Sequence, residues 1–390
     1  MGRECLSWRA LRCALSCLPY ALVPRLTTYT YNPAELRFAP NLKWSEYYPK
    51  GAEIRGYYEN VVEDYKVTDN LRLEREVVSA TWLEEVQQWE VVVKDPTGKG
   101  QKDWGDFLIS APGRLNKPMF PDIPGLWSRF QGNVLHTGNY DTNFDPTEKK
   151  VAIIGNGASG QQLLPNIVSK TAHIDHYIRS KTWVTPTFRG DMIQATAEKP
   201  GGSAYTEAQK REWEDNPASY LAFRKNLEAK LHGRFQSSIL GSAENEAFRQ
   251  RCIETMLSRV NGDREWLNRI VPDYAPGCKR PTPAPGYIEA LISPKVEYIT
   301  EAIAEVVESG ILTVDGKFRE VDTIIAATGY SGGFSPRFTT IGRGGSDLSK
   351  TWSANGPTGY PETYFGIMAP GFPNYFFVLQ VSQKASGATL

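Results

Sequence analysis

Residues 151–160, VAIIGNGASG, place three glycines where backbone could meet a phosphate. A short apolar run, Val151 to Ile154, enters the turn Gly155-Asn156-Gly157-Ala158-Ser159-Gly160, and Gln161 to Val168 reads as a helix. Strand, turn and helix in that order are the context a Gly-x-Gly-x-x-Gly motif needs to grip a dinucleotide pyrophosphate. Gly155 permits the tight turn, Gly157 lets backbone approach the phosphates, and Gly160 lets helix pack on strand. Ser159 lies in the same turn, where the free N–H groups of the helix start face an anion. The plainer alternative is a glycine turn with no ligand.

The next apolar run, His173 to Ile178, ends in Arg179-Ser180-Lys181. A site for NAD would carry an acidic residue there for the ribose 2′-hydroxyl, whereas arginine suits a 2′-phosphate. Arg179, Ser180 and Lys181 are therefore read as phosphate ligands and the cofactor as NADPH, against the alternative of a solvated basic loop.

The elements that must hold these residues follow from pattern. Residues 51–66 read as helix, 71–94 alternate as strands, and Pro96-Thr97-Gly98 marks a hairpin turn. Asp106 to Ala111 is a strand, and residues 149–181 form the β-α-β unit just described. Residues 206–269 are charged, glycine-poor and helical, while prolines make 272–286 an extended loop. Val321 to Ala327 is an almost wholly apolar, buried strand, and Tyr375 to Leu379 a last one. Strands alternating with helices predict an α/β protein.

With 390 residues, one or two domains with a large core are expected. Lys+Arg and Asp+Glu both number 44, which argues against a nucleic-acid partner. The five cysteines form no CxxC pair, which suits a reducing, cytoplasmic setting. Arg3, Arg9 and Arg12 interrupt the apolar tendency of residues 1–22, against a secretory signal, and no 18-residue apolar run predicts a membrane span. The four histidines lack zinc-ligand spacing; His173 and His176 fall on opposite strand faces, so no metal is expected.

Residues 130–141, FQGNVLHTGNYD, resemble the signature of the Baeyer–Villiger branch of the flavin-containing monooxygenases. Phe130, Gly132, His136, Thr137 and Asp141 match it, and Tyr140 stands where Trp is usual. In the order of that family follow GNGASG, RSKTW at 179–183, GCKRPTPAPGY at 277–287, AATGY at 326–330 and PGFPNYFF at 370–377. PDIPG at 121–125 precedes the signature, and the likeness covers roughly residues 27–390, with a look of fungal secondary-metabolism members. The resemblance implies two Rossmann-like dinucleotide-binding domains, for FAD and NADPH, that use O₂ to turn a ketone into an ester or lactone. It makes Arg280 the arginine beside the developing anion and the nicotinamide, Lys279 a second 2′-phosphate ligand, and His136 and Thr137 a hinge between domains. Thr328 and Gly329 end a strand near the cofactors; a simple strand-to-loop turn is the alternative.

The resemblance also sets the expected domains. Residues 27–145 and 321–390 are FAD-domain portions, and 146–320 are the NADP-binding domain with a helical insertion at 206–269. Residues 1–26 are an atypical segment standing where the family's first Gly-x-Gly-x-x-Gly would be, so the FAD domain is expected to be incomplete and the chain a mis-assigned or truncated reading. Two rivals have the same fold: an oxygenase of nitrogen or sulfur, and a flavin-free pseudoenzyme. Gly329-Tyr330-Ser331-Gly332-Gly333 satisfies the hydrolase pattern, but Pro336 follows closely and no His lies beyond His232, against a nucleophile elbow.

Overall fold

Among the described residues, apolar periodicity becomes fourteen strands. In chain order they are β1 (Glu76–Leu83), β2 (Gln88–Lys94), β3 (Gly100–Gly105), β4 (Leu108–Ser110), β5 (Asn133–His136), β6 (Lys150–Ile154), β7 (His173–Tyr177), β8 (Val296–Ile299), β9 (Ile303–Val307), β10 (Gly310–Thr313), β11 (Phe318–Glu320), β12 (Thr323–Ala326), β13 (Thr339–Ile341) and β14 (Tyr375–Phe377). The α-helices are α1 (Gly51–Asp64), α2 (Ala158–Ile167), α3 (Glu207–Asp215), α4 (Pro217–His232), α5 (Ala243–Arg259), α6 (Arg264–Ile270), α7 (Tyr287–Leu291) and α8 (Leu348–Thr351). The computed structural model describes residues 38–113, 115, 117–187, 204–232, 235–279, 282–331 and 336–378. Residues 1–26 and Arg280 lie outside them.

The chain divides into two compact units. One unit takes residues 58–117 and the stretch from 330 onward. Its sheet runs β13-β1-β2-β3, with β1, β2 and β3 antiparallel and β13 parallel to β1. β4 and β14 pair in parallel beside it in the same unit. Alternating residues of β2, Trp89, Val91 and Val93, point into a core with Trp82, Phe372, Tyr375 and Phe377. The Trp89 indole N–H donates to the Pro373 carbonyl at 2.7 Å, so this fully buried ring is also hydrogen-bonded.

The other unit, 38–57 and 118–329, is built on five parallel strands in the order β5-β12-β6-β7-β8. β6 and β12 read as nearly continuous apolar runs because both faces are covered, and β7 is equally buried although it carries His173, Asp175 and His176. One face packs Val151, Ile153, Ile174 and Ile178 against Leu163, Leu164 and Ile167 of α2 and Ile288 of α7. The opposite face packs Ala152, Ile154, Tyr177 and Ile324 against Val306 and Ile311 of the antiparallel sheet β9-β10-β11.

The helical insertion is present as α3 to α6. Thr206 and Gln209 form a capping box at α3, Ser242 caps α5 and Asp263 caps α6, which breaks the charged stretch into short helices. The expected α/β class holds. Contacts divide the chain at 117/118 and 329/330, where the resemblance set boundaries at 145/146 and 320/321; β5 and β12 hydrogen-bond into the sheet of β6 and so carry residues 118–145 and 321–329 with it.

Candidate dinucleotide-binding site

Every strand of the parallel sheet runs the same way, so their carboxyl ends share one edge. β6 runs into Gly155–Gly160, β7 into Arg179–Lys181, β12 into Thr328-Gly329 and β5 into Thr137. The chain goes outward from β6 through β7 to β8, then returns to place β12 on the other side of β6. That reversal is a topological switch point, where open parallel sheets leave a crevice for ligands.

Gly155 sits at this point with φ +104°, in the left-handed region, and a Cβ there would lie 2.8 Å from the Ala327 carbonyl oxygen. No side chain fits, which is the physical need behind the first glycine. A Cβ on Gly160 would come 2.2 Å from the Gly155 oxygen. Gly157 has open space where a Cβ would go and caps α2 with extended backbone. Ser159, half-buried, occupies the first turn of α2, whose leading amides have no partner within the helix.

Beyond β7, Arg179 and Ser180 are exposed, and Arg179 makes no ion pair among the described residues. Lys181 is half-buried and its ammonium donates to the Asn268 carbonyl at 2.9 Å. The Tyr274 hydroxyl donates to the Lys181 carbonyl at 3.1 Å, which ties this loop to the segment after α6. Lys279 is exposed, its ammonium 5.0 Å from the centre of the Tyr274 ring. A cleft lined by Asn156, Lys181, Met256, Ile270, Tyr287 and Tyr298 lies beside the glycine turn.

The residues of the 130–141 signature hold local structure. Gly132 is required because a Cβ there would meet the Asp322 carbonyl at 2.4 Å, beside β12. Phe130 packs into the core on the β9–β11 face. The Thr137 N–H donates to Ala326 O at 3.0 Å. Asp141 accepts from the Asn143 N–H at 2.9 Å, an Asx turn on the surface. His136 is buried; its Nδ1 accepts from the Gly138 N–H at 2.9 Å and the Phe120 ring stands edge-on at 5.0 Å. Burial lowers its pKa, opposed by the backbone of Met119 and Gly329. Those two residues are joined by Met119 N–H to Gly329 O at 3.0 Å, and the Thr328 hydroxyl donates to Met119 O. His136 and Thr137 sit within the unit of residues 118–329, and Met119 and Gly329 are the residues beside the two chain crossings.

Sheet register joins groups that sequence spacing keeps apart. Asp175 pairs with Glu297 across β7 and β8, and His173, Asp175 and Glu297 offer atoms within 4.8 Å of one another. Glu297, though, already accepts from Arg319 and Lys317 at 2.8 Å each, which hold its carboxyl down to about 2. Two built-in cations therefore occupy the charge that a metal would need. Cys252 is buried and its thiol is pushed up to about 12 by burial, so it is no nucleophile.

His176 escaped the sequence reading as anything but a non-ligand. It is fully buried in β7, with Nε2 3.3 Å from the Gly155 carbonyl oxygen. The available signal was a histidine in phase with Ile174 and Ile178, on the face that packs against α2.

A family model described as flavin-binding monooxygenase-like matches residues 42–190. The FAD-binding monooxygenase tazF of Aspergillus terreus is 33% identical over 341 residues, 87% of this chain and 59% of that protein. A Baeyer-Villiger monooxygenase of Pseudomonas aeruginosa is 31% identical over 343 residues, 88% of this chain and 60% of that one. Cyclohexanone monooxygenase from Rhodococcus sp. Phi1, solved bound to NADP+, has the same fold: TM-score 0.75 at 23% identity, over 93% of this chain and 72% of that one. The chain spans about three fifths of the length of these two curated relatives.

Proposed function

The chain belongs to the flavin-binding monooxygenase-like family, and on that premise we propose that it binds NADPH at the carboxyl edge of its parallel sheet and serves the FAD- and O₂-dependent oxidation of a ketone to an ester or lactone in secondary metabolism. The observation that carries this reading is the convergence of the glycine turn, the Arg179–Lys181 loop and Thr328-Gly329 at one switch point.

The residues fit an NADP phosphate group. Open space at Gly157 admits a pyrophosphate to the α2 amides, and the exposed Arg179 guanidinium, without an ion pair among the described residues, suits a 2′-phosphate. The Gly-x-Gly-x-x-Gly pattern occurs once in the chain and is taken up by this site. A second such grip, for the FAD pyrophosphate, is not found among the described residues. When bound, NADPH supplies a hydride. The chain's part is to seat the dinucleotide, with helix amides at the pyrophosphate and Arg179 and Lys181 at the ribose phosphate; the resemblance gives Arg280, which lies outside the described residues, the role of a positive charge beside the reacting centre. His136 is the buried support behind Met119 and Gly329, next to the two chain crossings.

The test is product analysis of the 390-residue chain with FAD, NADPH and a cyclic ketone, beside a thioether. Lactone formation is expected, and Arg280→Ala should lower its rate by about 10²–10³-fold, the usual cost of one charge-stabilising group. Sulfoxide without lactone, or lactone formed equally by Arg280→Ala, would contradict the assignment.

A further inference from the structure

We infer that His176 is a positioning residue for the glycine turn: its Nε2–H donates to the Gly155 carbonyl, holds that oxygen under the turn, and so leaves the turn's N–H groups to the dinucleotide phosphates. The inference rests on the NADPH reading above and deepens it.

Four observations carry it. His176 has no exposed surface and lies 3.3 Å from the Gly155 oxygen, which can only accept, so Nε2 bears the proton. The same oxygen is hemmed by Gly160, where a Cβ would come within 2.2 Å, so the carbonyl sits between the strand and the helix start. The Gly155 N–H is in turn held by Tyr177 O at 3.0 Å, so the peptides on both sides of the Gly155 Cα are each hydrogen-bonded. Finally, the Tyr287 ring stands edge-on to the imidazole at 5.9 Å, and Tyr287 lines the cleft with Asn156, the residue between the first two glycines.

The physical point is orientation. A glycine turn is soft, and rotating the Gly155–Asn156 peptide would present a carbonyl oxygen, in place of an amide, to a phosphate. Repulsion there would oppose binding; a buried donor on the carbonyl selects the productive orientation before the ligand arrives. Burial holds the imidazole pKa down to about 4, so the ring stays neutral and keeps a single tautomer through the physiological range.

The test is isothermal titration of the full chain with NADP+ and NAD+, for wild type, His176→Phe and His176→Gln, with the thermal midpoint recorded for each. Phenylalanine keeps the ring and removes the donor; the glutamine amide restores a donor at similar reach. His176→Phe should bind NADP+ about tenfold more weakly, what one hydrogen bond of ordinary net strength is worth, and His176→Gln should lie within about twofold of wild type. Recovery of affinity in His176→Gln without recovery of the thermal midpoint would separate positioning from plain stability. If His176→Phe does not fold, His176→Asn, with its shorter amide, replaces it in the same comparison. A folded His176→Phe that binds as well as wild type, or a His176→Gln as weak as His176→Phe, overturns the positioning role and leaves the cofactor reading standing. A wild-type chain that binds neither nucleotide overturns both.

Discussion

At the residue scale, the two basic groups after β7 are not equivalent. Arg179 is exposed and free among the described residues, whereas the Lys181 ammonium is already held by the Asn268 carbonyl. Lysine must exchange that bond for a phosphate, while arginine only loses water and rotamer freedom. Hydrogen bonds to charged groups are worth about 1.5–3 kcal/mol, so Arg179→Ala should weaken NADP+ binding roughly 10- to 100-fold. Lys181→Ala should cost less, on the order of fivefold or below, because its existing bond offsets the gain. Dissociation constants for both variants check this ranking, and a larger loss for Lys181→Ala would reverse it. The glycines were legible in the sequence because their demands are local: a left-handed φ at Gly155 and contact at Gly160. His176 was not legible in this role, because its partner is 21 residues away and meets it only through the pairing of β6 with β7.

At the scale of elements, the β-α-β unit was legible from its apolar runs and glycine turn, and the helical stretch from α3 to α6 from its charge and lack of glycine. Strand order was not. β12 lies between β5 and β6 although some 170 residues separate it from β6, and no local pattern encodes a pairing across that distance. The same long-range pairing keeps residues 118–145 and 321–329 in one unit. It also gives β7 two different faces, and these set the acid response. His176, on the helix-covered face, is neutral in the fold, with its pKa lowered to about 4 from 6.5. Between those values the unfolded chain binds a proton that the fold does not, so this group's stabilisation is complete above pH 6.5 and is lost as pH falls toward 4. The shift corresponds to roughly 3 kcal/mol. On the opposite face, burial raises the Asp175 carboxyl, an opposing contribution that His173 and Arg319 moderate. Glu297, held down to about 2, weakens the fold only below pH 4.5. The thermal midpoint should therefore fall between pH 6.5 and 4, and more steeply in wild type than in His176→Phe. Equal slopes in the two proteins would remove the burial argument for this histidine.

At the scale of the whole molecule, one unit carries the glycine turn and the basic loop at the carboxyl edge of a single parallel sheet, with the signature segment running through its β5. No helix among the described residues is long and apolar enough to cross a membrane. The central claim is that this edge is an NADP site with a preference built into the loop after β7. Isothermal titration of the full chain with NADP+ and NAD+ at one ionic strength tests it most directly. The account expects NADP+ to bind at least tenfold more tightly than NAD+, since a 2′-phosphate adds charged hydrogen bonds to Arg179, and expects Arg179→Ala to abolish the difference. Equal affinity for the two nucleotides, or a preference that survives in Arg179→Ala, would contradict it.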